Sequence, residues 1–180
     1  MINILDEAAS CTGVSVHEQA ILPSESLSFS QDLLDYCKTN VCGNYNKSWT
    51  CPPACGSLEE QQRNILSFKN VLIFTTMHKL EDSFDYEGMT KGRGLHTLLL
   101  IELKNKLGDV PVYGAGNCPV CMDKEGKSIC AFPSPCPFPE KMIRSIEAAG
   151  INVTELSKSA KITYNNGENT VTYFSMVLID

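Results

Sequence analysis

Basic residues are in the minority in this chain. Fifteen lysines and arginines stand against 21 aspartates and glutamates, a formal net charge of −6 at pH 7. That balance leaves no broad cationic surface for a phosphate backbone, which excludes nucleic acid as the main partner. No apolar stretch approaches the roughly 18 residues that a membrane-spanning helix needs, so no membrane partner is expected. The opening residues, MINILDEAASC, show neither the basic lead nor the apolar run of a secretory signal, and a cytoplasmic, reducing setting is expected. Also missing are a carboxylate pair, a serine–histidine arrangement and a complete Walker or Rossmann glycine pattern, so enzyme status stays open. The three histidines, His17, His78 and His96, are scattered and read as surface or satisfied core residues rather than ligands. With 43% hydrophobic and 20% charged residues over 180 positions, the chain reads as a single domain, residues 1–180, able to bury a core without covalent staples.

Cysteine is what the chain has in quantity. There are nine, an odd number, and in a reducing setting they point to metal binding or thiol chemistry rather than to disulfides. Cys37, Cys42, Cys51 and Cys55 fall within 19 residues, and Cys118, Cys121, Cys130 and Cys136 fall within another 19. This is the arithmetic of two four-thiolate sites. Cys11 stands apart and reads as a small buried hydrophobe beside Ile2, Ile4, Leu5, Ala8 and Ala9. All-thiolate ligation selects soft metals: zinc, iron–sulfur clusters or Cu(I). Structural zinc sites favour two tight Cys-x2-4-Cys pairs; the second group has one such pair, Cys118-Pro-Val-Cys121, followed by a looser one, and the first group has intervals of four, eight and three residues. Cys51, Cys118 and Cys136 each precede proline, as ferredoxin-type ligands do, so one or two 4Fe–4S clusters are favoured over zinc. Glycines 43, 56 and 116 would let backbone amides approach the sulfurs. A redox dithiol at CPVC is the weaker alternative for the second group, because no helix clearly starts there.

The loop CGNYNKSWTCPPACG, residues 42–56, carries the only tryptophan. Tyr45 and Trp49 are placed to cover thiolate sulfur, although Trp49 reads equally well as a core aromatic. Its adjacent prolines are expected to hold the chain extended before and after Cys51. KGRGLH, residues 91–96, puts glycines and two cations ahead of a helix and reads as a weak candidate for an anion-binding helix start.

Around these loops the pattern is regular. Ser30 caps a short helix bearing Leu33, Leu34 and Cys37. Ser57 with Glu60 forms a capping box for the next helix. Residues 70–77, NVLIFTTM, read as a buried strand. After a turn at residues 85–88, a helix is expected from about Leu95 to Leu107, ended by Gly108. VPVYGAG reads as a strand leading into Cys118. PEKMIRSIEAAG reads as a helix with Met142, Ile143, Ile146 and Ala149 on one face and Gly150 as its stop. The C-terminus reads as two strands about NNGEN, a β-hairpin. The fold class is therefore α/β or α+β: a small mixed sheet with flanking helices, two cysteine-rich loops and a C-terminal hairpin.

The residues CKTNVCGNYNKSWTCPPACG, followed by GNCPVC and PCPFPEKMIRSIEAAGINV, resemble a bacterial and archaeal family of uncharacterised, predicted metal-binding proteins. Its signature runs Cys-Gly-x-Tyr-x-x-x-Trp-x-Cys-Pro-Pro, then Cys-x-x-Cys, then Pro-Cys-x-x-Pro-Glu-Lys, and the likeness extends from about residue 30 to the C-terminal strands. By this resemblance Cys42, Cys51, Cys118, Cys121 and Cys136 correspond to motif cysteines, while Cys37, Cys55 and Cys130 fall where the pattern varies. The resemblance implies a metal or iron–sulfur protein of anaerobe-type metabolism, with no reaction assigned. Three roles follow as alternatives: an electron carrier serving a redox partner such as a corrinoid or radical enzyme, a cluster-dependent enzyme of anaerobic, corrinoid-linked metabolism, or a zinc-stabilised interaction module.

Overall fold

The structure is a computed structural model that describes residues 1–123 and 127–180. Five strands make one mixed sheet: β1 (Gln19–Pro23), β2 (Asn70–Lys79), β3 (Val112–Gly114), β4 (Ile143–Ser145) and β5 (Thr170–Ile179), in the order β1-β2-β5-β3-β4. Only the β3–β4 pair is parallel. Helices α1 (Ile2–Thr12), α2 (Gln31–Lys38), α3 (Leu58–Leu66), α4 (Tyr86–Leu107) and α5 (Val153–Ala160) flank the sheet.

Strand β2 explains the layering. Its residues 71–76 are all buried, so both faces of the strand are covered, and consecutive side chains enter different cores. Val71 and Ile73 join Ile65 of α3, Leu156 of α5 and Met176 of β5. Leu72 and Phe74 join Leu5 of α1 and Leu99, Leu100 and Leu103 of α4. A continuous apolar run, rather than polar alternation, is what a strand buried on both faces requires.

Several expected elements form as read. The Ser30 side chain accepts from the Asp32 amide to cap α2, and the Ser57–Glu60 capping box starts α3. Among the described residues no helix is long and apolar enough to cross a membrane.

The structure departs from the sequence reading at five points. Helix α4 begins at Tyr86, nine residues before the expected start, with the Asp85 carboxylate accepting from the Gly88 amide at 2.7 Å. One of its glycines serves packing: a Cβ on Gly92 would lie 2.9 Å from the His78 ring. KGRGLH is therefore mid-helix and offers no free amides as a helix start. The expected helix at residues 139–150 is instead a 3-10 turn, strand β4, and a second 3-10 turn at Glu147–Ala149. Ile143 and Ile146 fit helical spacing, yet they lie in opposite cores. The C-terminal hairpin has one strand only: residues 161–169 carry no strand, and β5 pairs with β2 and β3. The NNGEN turn links α5 to β5. Finally, Cys11 lies on the exposed side of α1, while Leu5 and Ala8 take the buried face.

Candidate metal centre

The two cysteine loops leave the fold close together. Cys37 sits in the last turn of α2, and residues 39–57 run from there to α3, carrying Cys42, Cys51 and Cys55. The second group lies between β3 and β4, whose carboxyl ends point the same way because the pair is parallel. All nine cysteines are free thiols.

Side chains of the first loop bind the second. Trp49 donates from Nε1 to the Ser134 carbonyl at 2.9 Å and meets Phe132 edge-on, with ring centroids 5.1 Å apart. The amide of Cys118 donates to Thr50 Oγ1 at 3.0 Å, one residue from Cys51. Thr50 and Ser48 are buried and bonded to each other at 3.2 Å. Trp49 therefore clamps one cysteine loop to the other. Tyr45 remains at the wall of a cavity that also touches Cys37, Cys42 and Cys51. Residues 51–55 do not run extended: they turn, the Cys55 amide reaching back to the Cys51 carbonyl at 3.1 Å. Gln61 of α3 donates to the Cys55 carbonyl and fixes that turn against the helix.

Each group of thiols forms its own electrostatic neighbourhood. Burial pushes the Cys51 thiol, 8% exposed, up to about 12, and the charges of Cys42, Cys55 and Cys37 add to the rise. Burial lifts Cys55 to about 11, opposed by its own backbone N–H and reinforced by Cys37. Cys37 is raised by burial, then by Cys42 and by the carboxylate of Glu147. In the second group burial raises Cys118, the backbone amides of Ile143 and Val120 hold it down, and Cys121 and Cys136 push it up. Cys121 is raised by burial and then by Cys130 and Cys136. The thiols that act on Cys37, Cys51 and Cys55 all belong to the first group, and those that act on Cys118 and Cys121 to the second. Among the described residues, no three Cys, His, Asp or Glu side chains converge closely enough to hold one metal ion.

The donor set nonetheless suits a thiolate-bound metal. Clustered, half-buried thiols resist ionisation beside one another, and a cation that takes the place of their protons relieves that cost. Two backbone amides aimed at Cys118 are the type of contact that stabilises ligand sulfur. The histidines lie elsewhere. His96 is bonded to Thr76 and Ser175 in the core, His78 shares Thr76, and His17 is bonded to Asn166.

Glu147 and Asn117, beside the first group, gave no sequence signal, and Arg93 was read only as one of the two cations of KGRGLH. Glu147 accepts from Ser145 Oγ at 2.9 Å and from the Gly116 amide at 3.4 Å, tying the exits of β3 and β4 together. Asn117 and Arg93 face the same cavity as Cys37, Cys42 and Cys51. Tertiary approach alone assembles these groups, because they come from α4 and from two different strand exits.

A family model described as "Predicted metal-binding protein (DUF2284)" matches residues 20–179. No curated protein matches the chain, and no solved structure does.

Proposed function

The chain belongs to that family of predicted metal-binding proteins, and from this premise we propose that its two cysteine groups hold iron–sulfur clusters of the 4Fe–4S type and that it carries electrons to a partner redox protein. Cys37, Cys42, Cys51 and Cys55 are the ligands of one site, and Cys118, Cys121, Cys130 and Cys136 those of the other. Bound there, such a cluster supplies reversible one-electron transfer.

One observation carries this reading: the two loops are bonded to each other next to their cysteines, through Thr50 to the Cys118 amide and through Trp49 to Ser134. A relay needs its stations adjacent and rigidly spaced, and these bonds provide that spacing. The protein's own groups do the tuning. The Val120 and Ile143 amides stabilise charge on Cys118. Trp49 and Phe132 pack edge-on across the seam. Cys51 is buried while Cys42 is exposed, which gives the first site a dry side and a side open to a partner.

Cys51→Ala and Cys118→Ala proteins isolated without oxygen test the assignment. Each should retain roughly half of the parent's iron and acid-labile sulfide, as expected for two sites filled separately. Iron content equal to the parent's in both variants contradicts it.

A further inference from the structure

We propose that the cavity between the first cysteine loop and the carboxyl ends of β3 and β4 binds a small organic carboxylate. The proposal builds on the metal-centre reading for its location, but the carboxylate's own contacts are with other residues. The cavity has a volume of about 680 Å3, within the range of roughly 300–1,000 Å3 typical of small-molecule sites. Cys37, Cys42 and Cys51 line it together with Arg93 and Asn117.

Two donors in that lining, Asn117 and Arg93, have no protein partner among the described residues. Asn117 is only 7% exposed, and its Nδ2 is buried with no hydrogen-bond partner among the described residues. Buried polar groups are almost always satisfied, so an orphan that lines a cavity marks the place of an acceptor. Arg93 makes no ion pair or hydrogen bond among the described residues. Its guanidinium lies over Gly116, where a Cβ would stand 3.4 Å from Nη2. Gly116 has φ +78° and no side chain, so the cation rests against the backbone immediately before Asn117.

The surroundings select the class of ligand. Arg93 offers a planar fork suited to two carboxylate oxygens, and the Asn117 amide supplies a further donor. Lys127 is the other cation at the rim. The Glu147 carboxylate in the lining opposes additional negative charge, which favours a monoanion over a phosphate dianion. Tyr36, Val41 and Tyr45 add aromatic and aliphatic surface to a lining that also holds Asn44, Ser128 and Ser145, which gives an apolar ligand body surface to meet.

Benzoate is the probe, titrated calorimetrically into the whole chain as isolated without oxygen, with neutral benzamide as its control. Benzoate should bind at least tenfold more tightly than benzamide. Arg93→Gln, at an exposed position, should weaken benzoate by roughly tenfold to a hundredfold, the loss expected for a charge-assisted contact, with metal content unchanged. Absent benzoate binding, equal binding of benzamide, or equal binding by Arg93→Gln overturns the proposal. So does a loss of metal in Arg93→Gln, which would make Arg93 a support of the centre. Metal analysis of the parent sample separates the two readings, because a chain without iron defeats the cluster assignment while the benzoate titration remains readable.

Discussion

His96 is 3% exposed and held between hydroxyls, with Nδ1 2.8 Å from Thr76 Oγ1 and Nε2 2.7 Å from Ser175 Oγ. The Tyr173 ring stacks on it at 5.6 Å. Burial, then the charge of His78, brings its pKa from 6.5 down to about 3, although a bond with the Phe174 backbone opposes the change. The folded state therefore refuses a proton that the unfolded chain accepts below about 6.5. Stability is whole above that pH and falls as pH drops towards 3, by about 1.4 kcal/mol per unit where the difference is complete. His96→Gln removes the titrating group from this network. Urea unfolding measured between about pH 4.5 and 7 should show a shallower slope in the variant than in the parent. Equal slopes would place the acid sensitivity elsewhere. His78, also lowered by burial, leaves the variant a smaller residual slope.

At the scale of elements, the region from β4 to α5 turns on Gly150. It ends the 3-10 turn with φ +79°, its carbonyl accepts from the Ser30 amide at 2.8 Å, and the side chains of Leu58 and Leu34 close over it. A methyl group here would strike Leu58 and press on the Ser30 carbonyl at 3.3 Å. Left-handed strain and overpacking together should make Gly150→Ala cost roughly 2–4 kcal/mol, readable as a lowered urea midpoint. A midpoint within error of the parent would show that α2 and α3 are not packed on this residue.

The same region shows why some elements were legible in the sequence and others were not. The Ser57–Glu60 box and the Ser30 cap are local chemistry, so α2 and α3 could be read from their own residues. The run over residues 71–76 declared a buried strand by composition. Residues 143–149 could not be read this way, because a three-residue strand followed by a turn places Ile143 and Ile146 at the same spacing that a helix would. The glycines of α4 resembled a loop until the His78 ring accounted for Gly92. In the candidate site, cysteine number and grouping were visible, and Trp49 stood out without a role, since covering a sulfur and filling the core read equally well. Its clamp onto Ser134 and the convergence of Arg93, Asn117 and Glu147 depend on contacts between distant segments, which spacing along the chain does not encode.

For the whole molecule, the sheet sends two parallel strands towards two cysteine loops and joins those loops through Thr50, Cys118, Trp49 and Ser134. The central claim is that this end of the fold is a pair of thiolate-ligated iron–sulfur sites. Iron, zinc and acid-labile sulfide, measured on the full chain purified under strict exclusion of oxygen, test it most directly. The account predicts about eight irons and equal sulfide per chain, with broad absorption near roughly 400 nm that bleaches on reduction. Zinc as the bound metal, or a colourless protein holding neither iron nor sulfide, would contradict it.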